Sequence, residues 1–178
     1  MYIVPEKLIS ELVSLKTSYS AVEDVFSAMA KKKAYNFPVI RESIGYSNAL
    51  YGFKSGFDKE GLSLGLKAGG YWPENESMGI PNHQSTIFLF DANTGKISAI
   101  VGGNLLTAFR TAAASSISIN HLARQDSKVL GMIGAGHQSA FQMQAAVQQR
   151  GFEKILGWNH HPEMISRLKQ TADELGIP

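Results

Sequence analysis

Residues 128–139, KVLGMIGAGHQS, constrain this chain more than any other stretch. Val129, Leu130, Met132 and Ile133 have the length and the flanking turn of a buried strand. The tight turn Gly134-Ala135-Gly136 follows, and Ser139, Ala140, Phe141, Met143 and Ala146 then trace a helix. That order brings unpaired backbone N–H groups and the positive end of a helix dipole to one point, which suits a pyrophosphate. The first glycine makes the turn and the second lets a ligand approach the backbone. Ser139 stands where a third glycine is usual and is small enough for helix and strand to pack closely. The competing reading is a plain strand-to-helix turn, but the context favours dinucleotide binding.

A second unit of the same kind follows, with a strand at 154–158 and a helix at 162–175. Two βα units joined by right-handed crossovers begin a parallel, doubly wound sheet. Such sheets are buried on both faces and need several strands. Either another copy completes the layer or the polypeptide is the front part of something longer, and the second is expected. Residues 124–127 mark the boundary with what precedes.

The preceding part reads differently. Pro5 and Glu6 followed by Leu8, Ile9, Leu12 and Val13 predict a short amphipathic helix. Ser20 and Glu23 have capping-box spacing ahead of Val25, Phe26 and Met29. From Phe37 the pattern changes to short β-like runs at 38–41, 49–54, 62–68, 86–90 and 96–101. The last two flank Asp91-Ala-Asn-Thr-Gly95, a hairpin turn. A mostly antiparallel sheet backed by the first two helices is expected. A long helix at 106–123 then carries Ala112-Ala113-Ala114-Ser115-Ser116, small residues that let another backbone approach closely.

Composition narrows the function classes. A formal charge of +2 is too slight to argue for nucleic acid or a membrane surface. The absence of cysteine removes disulfides, thiolate nucleophiles and cysteine-type zinc sites. No leader-like or membrane-spanning run is read, so a cytoplasmic location is expected. His160 and His161 are adjacent, and His83, His121 and His137 have no partner at metal-ligand spacing, so no metal is expected.

Three cations stand out. Lys67 lies late in the apolar run LSLGLKAGG and must either face solvent or reach a partner, since a buried unpaired ammonium is costly. The same choice holds for Arg41. Arg110 falls in the first turn of the long, small-residue helix, where the dipole disfavours a cation; a planar guanidinium there points to a carboxylate or a phosphate. After the second strand of the nucleotide region, Trp158-Asn159-His160-His161 occupies the place where an adenosine ribose is read, about 20 residues beyond the glycine turn. An acid there suits NAD and a nearby arginine suits NADP. Asn159 can meet a ribose hydroxyl without repelling a phosphate, so both cofactors stay open.

The runs Leu105-Leu-Thr-Ala-Phe-Arg-Thr-Ala-Ala-Ala114 and Val129-Leu-Gly-Met-Ile-Gly-Ala-Gly136, with IFLFDANTGKISAIVGG before them, resemble the ornithine cyclodeaminase/mu-crystallin family from about Phe37 onward. The resemblance implies an α/β chain. An N-terminal α+β substrate-binding and dimerisation domain would occupy residues 1–124. The N-terminal part of a Rossmann-type NAD(P)-binding domain would occupy 125–178. It implies a homodimer in which the N-terminal sheets pair into a shared closed barrel.

The resemblance also assigns roles. Lys67, Arg41 and Arg110 match a basic trio that holds the substrate carboxylate, with Lys67 placed to orient or protonate near the reacting carbon. Asn82, His83 and Arg110 match cofactor-facing positions, as do Gly134, Ala135, Gly136, His137 and Gln138 in the turn and Asn159 and His160 beyond it. The implied activity is reduction of an imino acid by NADH or NADPH. Residues 34–41 and 50–57 look most like reductases of small or dicarboxylic imines, such as iminosuccinate giving aspartate. Amino-acid cyclodeamination, or hormone and nucleotide binding without catalysis, are the alternatives. Members of the family run longer, and the further part would supply the remaining strands, the nicotinamide half of the site and an aspartate.

Overall fold

The computed structural model describes residues 1–178, and contacts divide them into two compact units. The first comprises Met1–Val13 and Asp24–Thr107, and the second Ser14–Glu23 and Ala108–Pro178. The division falls inside two helices, α2 (Leu15–Ala30) and α3 (Asn104–Leu122), rather than at the polar stretch near residue 125.

The first unit is a seven-stranded sheet. Its strands are β1 (Tyr2–Val4), β2 (Ala34–Asn36), β3 (Ile40–Ser43), β4 (Leu50–Asp58), β5 (Ser63–Tyr71), β6 (His83–Asp91) and β7 (Ile97–Gly102). The order is β1-β7-β6-β5-β4-β2, and β3 pairs with β4 as well. All pairs are antiparallel except β1 with β7. Asp91 sets the β6–β7 hairpin. Its carboxylate accepts the N–H groups of Asn93 and Thr94 and the Thr94 hydroxyl, and these bonds hold its pKa below the ordinary carboxylate value.

Two N-terminal expectations are corrected. Residues 5–13 form a 3-10 turn over Glu6–Leu8 and a single helical turn α1 (Ile9–Leu12), with Ile9 buried, rather than one amphipathic helix. The capping box of α2 is Ser14 with Thr17. The N–H of Thr17 donates to Ser14 Oγ and the N–H of Ser14 to Thr17 Oγ1. Ser20 is interior to α2, and Glu23 instead meets His121 at 3.0 Å.

The second unit holds two parallel strands, β8 (Val129–Ile133) and β9 (Lys154–Trp158), with α4 (Ser139–Val147) and α5 (Ile165–Glu174). Its core is Ala135, Met143, Leu168 and Ala172, flanked by Leu130, Met132 and Ile155. Burying Met143 completely contributes roughly 2 kcal/mol. The opposite strand face is exposed at Val129, Ile133, Leu156 and Trp158. No helix is long and apolar enough to cross a membrane.

Arg150, only 7% exposed, ties this unit together without a carboxylate partner. Its guanidinium donates to five carbonyl oxygens, those of Ile119, Asn120, Ala123, Arg124 and Gln149, at 2.7–3.1 Å. The first four belong to the end of α3 and the residues just after it, where the helix dipole is negative and the carbonyls can take a further donor. We predict that Arg150→Ala lowers the unfolding free energy by about 3 kcal/mol, because several buried acceptors lose a charged donor. Arg150→Lys should fall between, keeping the charge but not the fork. Urea unfolding monitored by circular dichroism checks this; a loss under about 0.5 kcal/mol for the alanine variant would show that the clamp stabilises nothing.

Candidate active site

Strand register sorts the residues of the first unit by face. Directly opposite residues of an antiparallel pair share a face, and so do residues two apart along a strand. Lys54 faces Lys67, which faces Ile87. One step along, Arg41 is opposite Gly52, Gly52 opposite Gly69, and Gly69 opposite Ser85. Arg41, Lys54 and Lys67 therefore rise from one side of the sheet, with the two glycines between them. A Cβ at Gly52 would lie 2.0 Å from the Ile40 carbonyl oxygen, and one at Gly69 would lie 2.2 Å from that of Gln84. The alternate residues Tyr51, Phe53, Leu66, Phe88 and Phe90 line an apolar hollow of about 480 Å³ on the other face.

Of the two choices open to Lys67, the structure takes the second. Its Nζ donates to Thr107 Oγ1 at 2.8 Å, and the Thr107 hydroxyl donates to the Gly103 carbonyl at 2.7 Å. With its proton committed, the hydroxyl presents a lone pair to the ammonium. The buried Thr107 thus fixes where Lys67 ends. Thr107 sits in the first turn of α3, whose N-terminus is capped by Glu6. That carboxylate accepts the N–H groups of Asn104 and Leu105 at 3.1 and 2.7 Å. Asn104 in turn accepts the Ser85 N–H and donates to Gln84 Oε1, tying the helix start to β6. Sequence reasoning missed Thr107 and this use of Glu6, because both link segments far apart in the chain.

Asn82 immediately precedes β6 and His83 begins it, in register with Tyr71. The Asn82 amide is used locally, accepting the Glu76 N–H at 2.8 Å and donating to the Tyr71 hydroxyl at 3.3 Å. It braces the 3-10 turn Pro73–Met78.

In the second unit, Gly134 has φ +96, a conformation that side chains disfavour, and donates to the Trp158 carbonyl at 2.8 Å. Asn159 Oδ1 accepts the Ala135 N–H at 3.3 Å while its amide donates to the His161 carbonyl. The turn and the end of β9 are thereby joined. Ser139, in place of a third glycine, is buried and donates from both N and Oγ to the Gly136 carbonyl. The N–H groups of Gly136, His137 and Gln138 make no hydrogen bond within the chain. A Cβ at Gly134 or Gly136 would meet nothing within 4 Å. Gln138 Oε1 is buried without a partner. This is an open cradle of donors at a helix start, and it fits the pyrophosphate of a dinucleotide. His137 rests against Phe141, and the ring of the exposed His160 lies tilted against that of His161 at 4.0 Å between centroids.

Arg110 needs a correction. Because α3 begins at Asn104, Arg110 lies in its second turn, where the dipole acts weakly. Its guanidinium is nevertheless desolvated enough to lower its pKa, although it stays charged at any working pH, and no acid pairs with it.

Comparison with known proteins decides the family. A model of the ornithine cyclodeaminase/mu-crystallin family matches residues 7–178. This chain belongs to that family. Over all 178 residues it is 63% identical to the iminosuccinate reductase of Paracoccus denitrificans, covering 56% of that protein. The crystal structure of that reductase in complex with NAD+ superposes with a TM-score of 0.94, covering 100% of this chain and 55% of that one. The Thermococcus litoralis Delta(1)-pyrroline-2-carboxylate reductase, in complex with NADH and L-proline, gives 0.91 at 30% identity, covering 99% of this chain and 55% of that one. The ketimine reductase mu-crystallin of Mus musculus is 31% identical over 102 residues, which are 57% of this chain and 33% of that protein. The chain therefore spans about half the length of the family members it matches along its whole length. The mixed α/β fold expected from the sequence is the one observed.

Proposed function

We propose that the full-length protein is an NAD(P)H-dependent reductase of imino acids, with iminosuccinate, reduced to aspartate, as the first substrate to test. One observation carries this reading: the same chain holds an open glycine cradle with unpaired N–H groups and a cationic sheet face centred on a positioned Lys67. Family membership and the names of the reductase relatives support it.

In this mechanism Lys67 and Arg41 hold the substrate carboxylate and so fix the orientation of the C=N carbon. Such orientation contributes up to several kcal/mol to lowering a barrier. Bound NAD(P)H supplies the hydride to that carbon, and a proton completes the amine at nitrogen. The 134–138 turn holds the pyrophosphate, and Asn159 stiffens that turn through Ala135. Thr107 keeps the Lys67 ammonium in place while substrate exchanges. The apolar face bearing Tyr51, Phe53, Phe88 and Phe90 suits a second copy, so the active form is proposed as a homodimer.

The test is NADH and NADPH oxidation by the full-length protein against oxaloacetate, pyruvate and other keto acids, each with ammonia or methylamine. Amine-dependent oxidation is the expected result. Ammonia release from ornithine with no net change in cofactor would overturn the reading in favour of a cyclodeaminase. Tight nucleotide binding with no turnover on any substrate would leave a binding protein.

A further inference from the structure

We propose that Glu6 is a positioning residue of this site, setting where the Lys67 ammonium stands by way of the first turn of α3. The proposal rests on the reductase reading for the chemistry and on hydrogen bonds within the first unit for the link. The two carboxylate oxygens of Glu6 serve different donors, Oε2 the N–H of Asn104 at 3.1 Å and Oε1 that of Leu105 at 2.7 Å. A helix leaves such N–H groups unpaired at its start, and the residue just before it usually caps them with its side chain. Here that residue is Gly103, which has none to offer. A Cβ there would lie 2.7 Å from Ser85 Oγ. The close approach of α3 to β6 therefore excludes a local cap, and a carboxylate from the start of the chain supplies it.

The main chain delivers Glu6 to this place. Strand β1 pairs in parallel with β7, Val4 opposite Val101, which brings Glu6 beside Gly102. A Cβ at Gly102 would lie 2.6 Å from the Glu6 Cα, so only glycine leaves room for it. From this junction a short chain of bonds runs to the ammonium. The Gly103 N–H donates to the Ser85 carbonyl at 3.0 Å, and the Gly103 carbonyl accepts both the N–H and the hydroxyl of Thr107, at 2.9 and 2.7 Å. Thr107 Oγ1 then accepts from Lys67 Nζ at 2.8 Å. Without the cap, the N–H groups of Asn104 and Leu105 turn to water and the turn that carries Thr107 frays. The acceptor of Lys67 moves with it. A misplacement of about 1 Å in a group that orients substrate costs on the order of a hundredfold in rate.

The experiment compares Glu6→Ala and Glu6→Gln in the full-length protein, each alone and combined with Lys67→Ala. Reduction is measured with oxaloacetate plus ammonia and NADH. Glu6→Ala is expected to lower kcat/KM by about tenfold or more when Lys67 is present. In the Lys67→Ala background the same change should cost less than about twofold, because the group it positions is gone. Glu6→Gln keeps the shape and one acceptor oxygen and should fall between, so the comparison does not depend on the alanine variant folding. A second readout needs no turnover: reductive methylation with formaldehyde and cyanoborohydride, quantified residue by residue by mass spectrometry. A lysine released from its acceptor is alkylated faster, since the neutral amine is the reactive form, and Lys67 should react about threefold faster or more in the Glu6 variants. The exposed Lys54 serves as the unchanged reference. Equal losses of activity with and without Lys67 would overturn the proposal and leave Glu6 a structural cap. So would an unchanged rate of methylation at Lys67. Should the wild type reduce no imine while Lys67 methylation still rises in the Glu6 variants, the reductase reading fails and the positioning link stands.

Discussion

Lys67→Ala in the full-length protein is expected to reduce kcat/KM for imine reduction by a factor on the order of 10³, about 4 kcal/mol of transition-state stabilisation, with nucleotide affinity nearly intact. The expectation follows from how Lys67 is held. Its ammonium is fixed on Thr107, whose own proton is committed to Gly103. Its position is therefore set before substrate arrives, and the ordering cost is met in folding rather than in binding. On the proposed reading, removing it takes away a group that holds the substrate carboxylate and frees the reacting carbon to turn. The glycine turn lies in a different unit and its hydrogen bonds do not involve Lys67. Fluorescence titration with NADH should consequently give a dissociation constant within about twofold of wild type, roughly 0.4 kcal/mol. Turnover of the alanine variant within tenfold of wild type would remove Lys67 from the mechanism.

The second large effect is expected at Gly136. Valine there should weaken nucleotide binding by at least a hundredfold, about 2.7 kcal/mol, while the thermal midpoint stays close to wild type. Space decides the sign. A Cβ at Gly136 meets no atom of the protein within 4 Å, so the fold accepts a side chain. The volume it would fill is the one a pyrophosphate needs to reach the N–H groups of Gly136, His137 and Gln138. Gly134 is the control. Its φ of +96 makes valine there a backbone strain, and Gly134→Val should lower stability as well as binding. Paired calorimetry and thermal melts on both variants separate the two effects. Unaltered NADH binding by Gly136→Val would discredit the turn as the cofactor site.

What could be read from the sequence was local. Strand β9 lies where the apolar run placed it, and the β6–β7 hairpin follows from Asp91, whose carboxylate organises its own turn. The βα units were legible because alternating strand and helix periods repeat twice. Strand β1 was not, since three residues carry no period and its parallel partner β7 begins 95 positions along, Tyr2 lying opposite Ala99 two residues further in. Of the site, the three cations were singled out by residue type, but their shared face depends on register across β3, β4 and β5, which no one segment contains. Glu6 shows the same limit: an acid at the start of one turn was read as serving that turn, whereas its carboxylate closes a helix almost a hundred positions later. Arg150 was invisible because its partners are all main-chain carbonyls, which every sequence has.

The narrow gaps at Gly52 and Gly69 bear on any attempt to retool this site. Both positions border the cations that a protein engineer would want to reshape, yet even a methyl group at either would collide with the carbonyl of the adjoining strand. Randomised libraries that include them would be dominated by misassembled sheets and would report stability instead of selectivity. Diversity belongs at Lys54 and Arg41, the exposed rim around a floor that must stay bare.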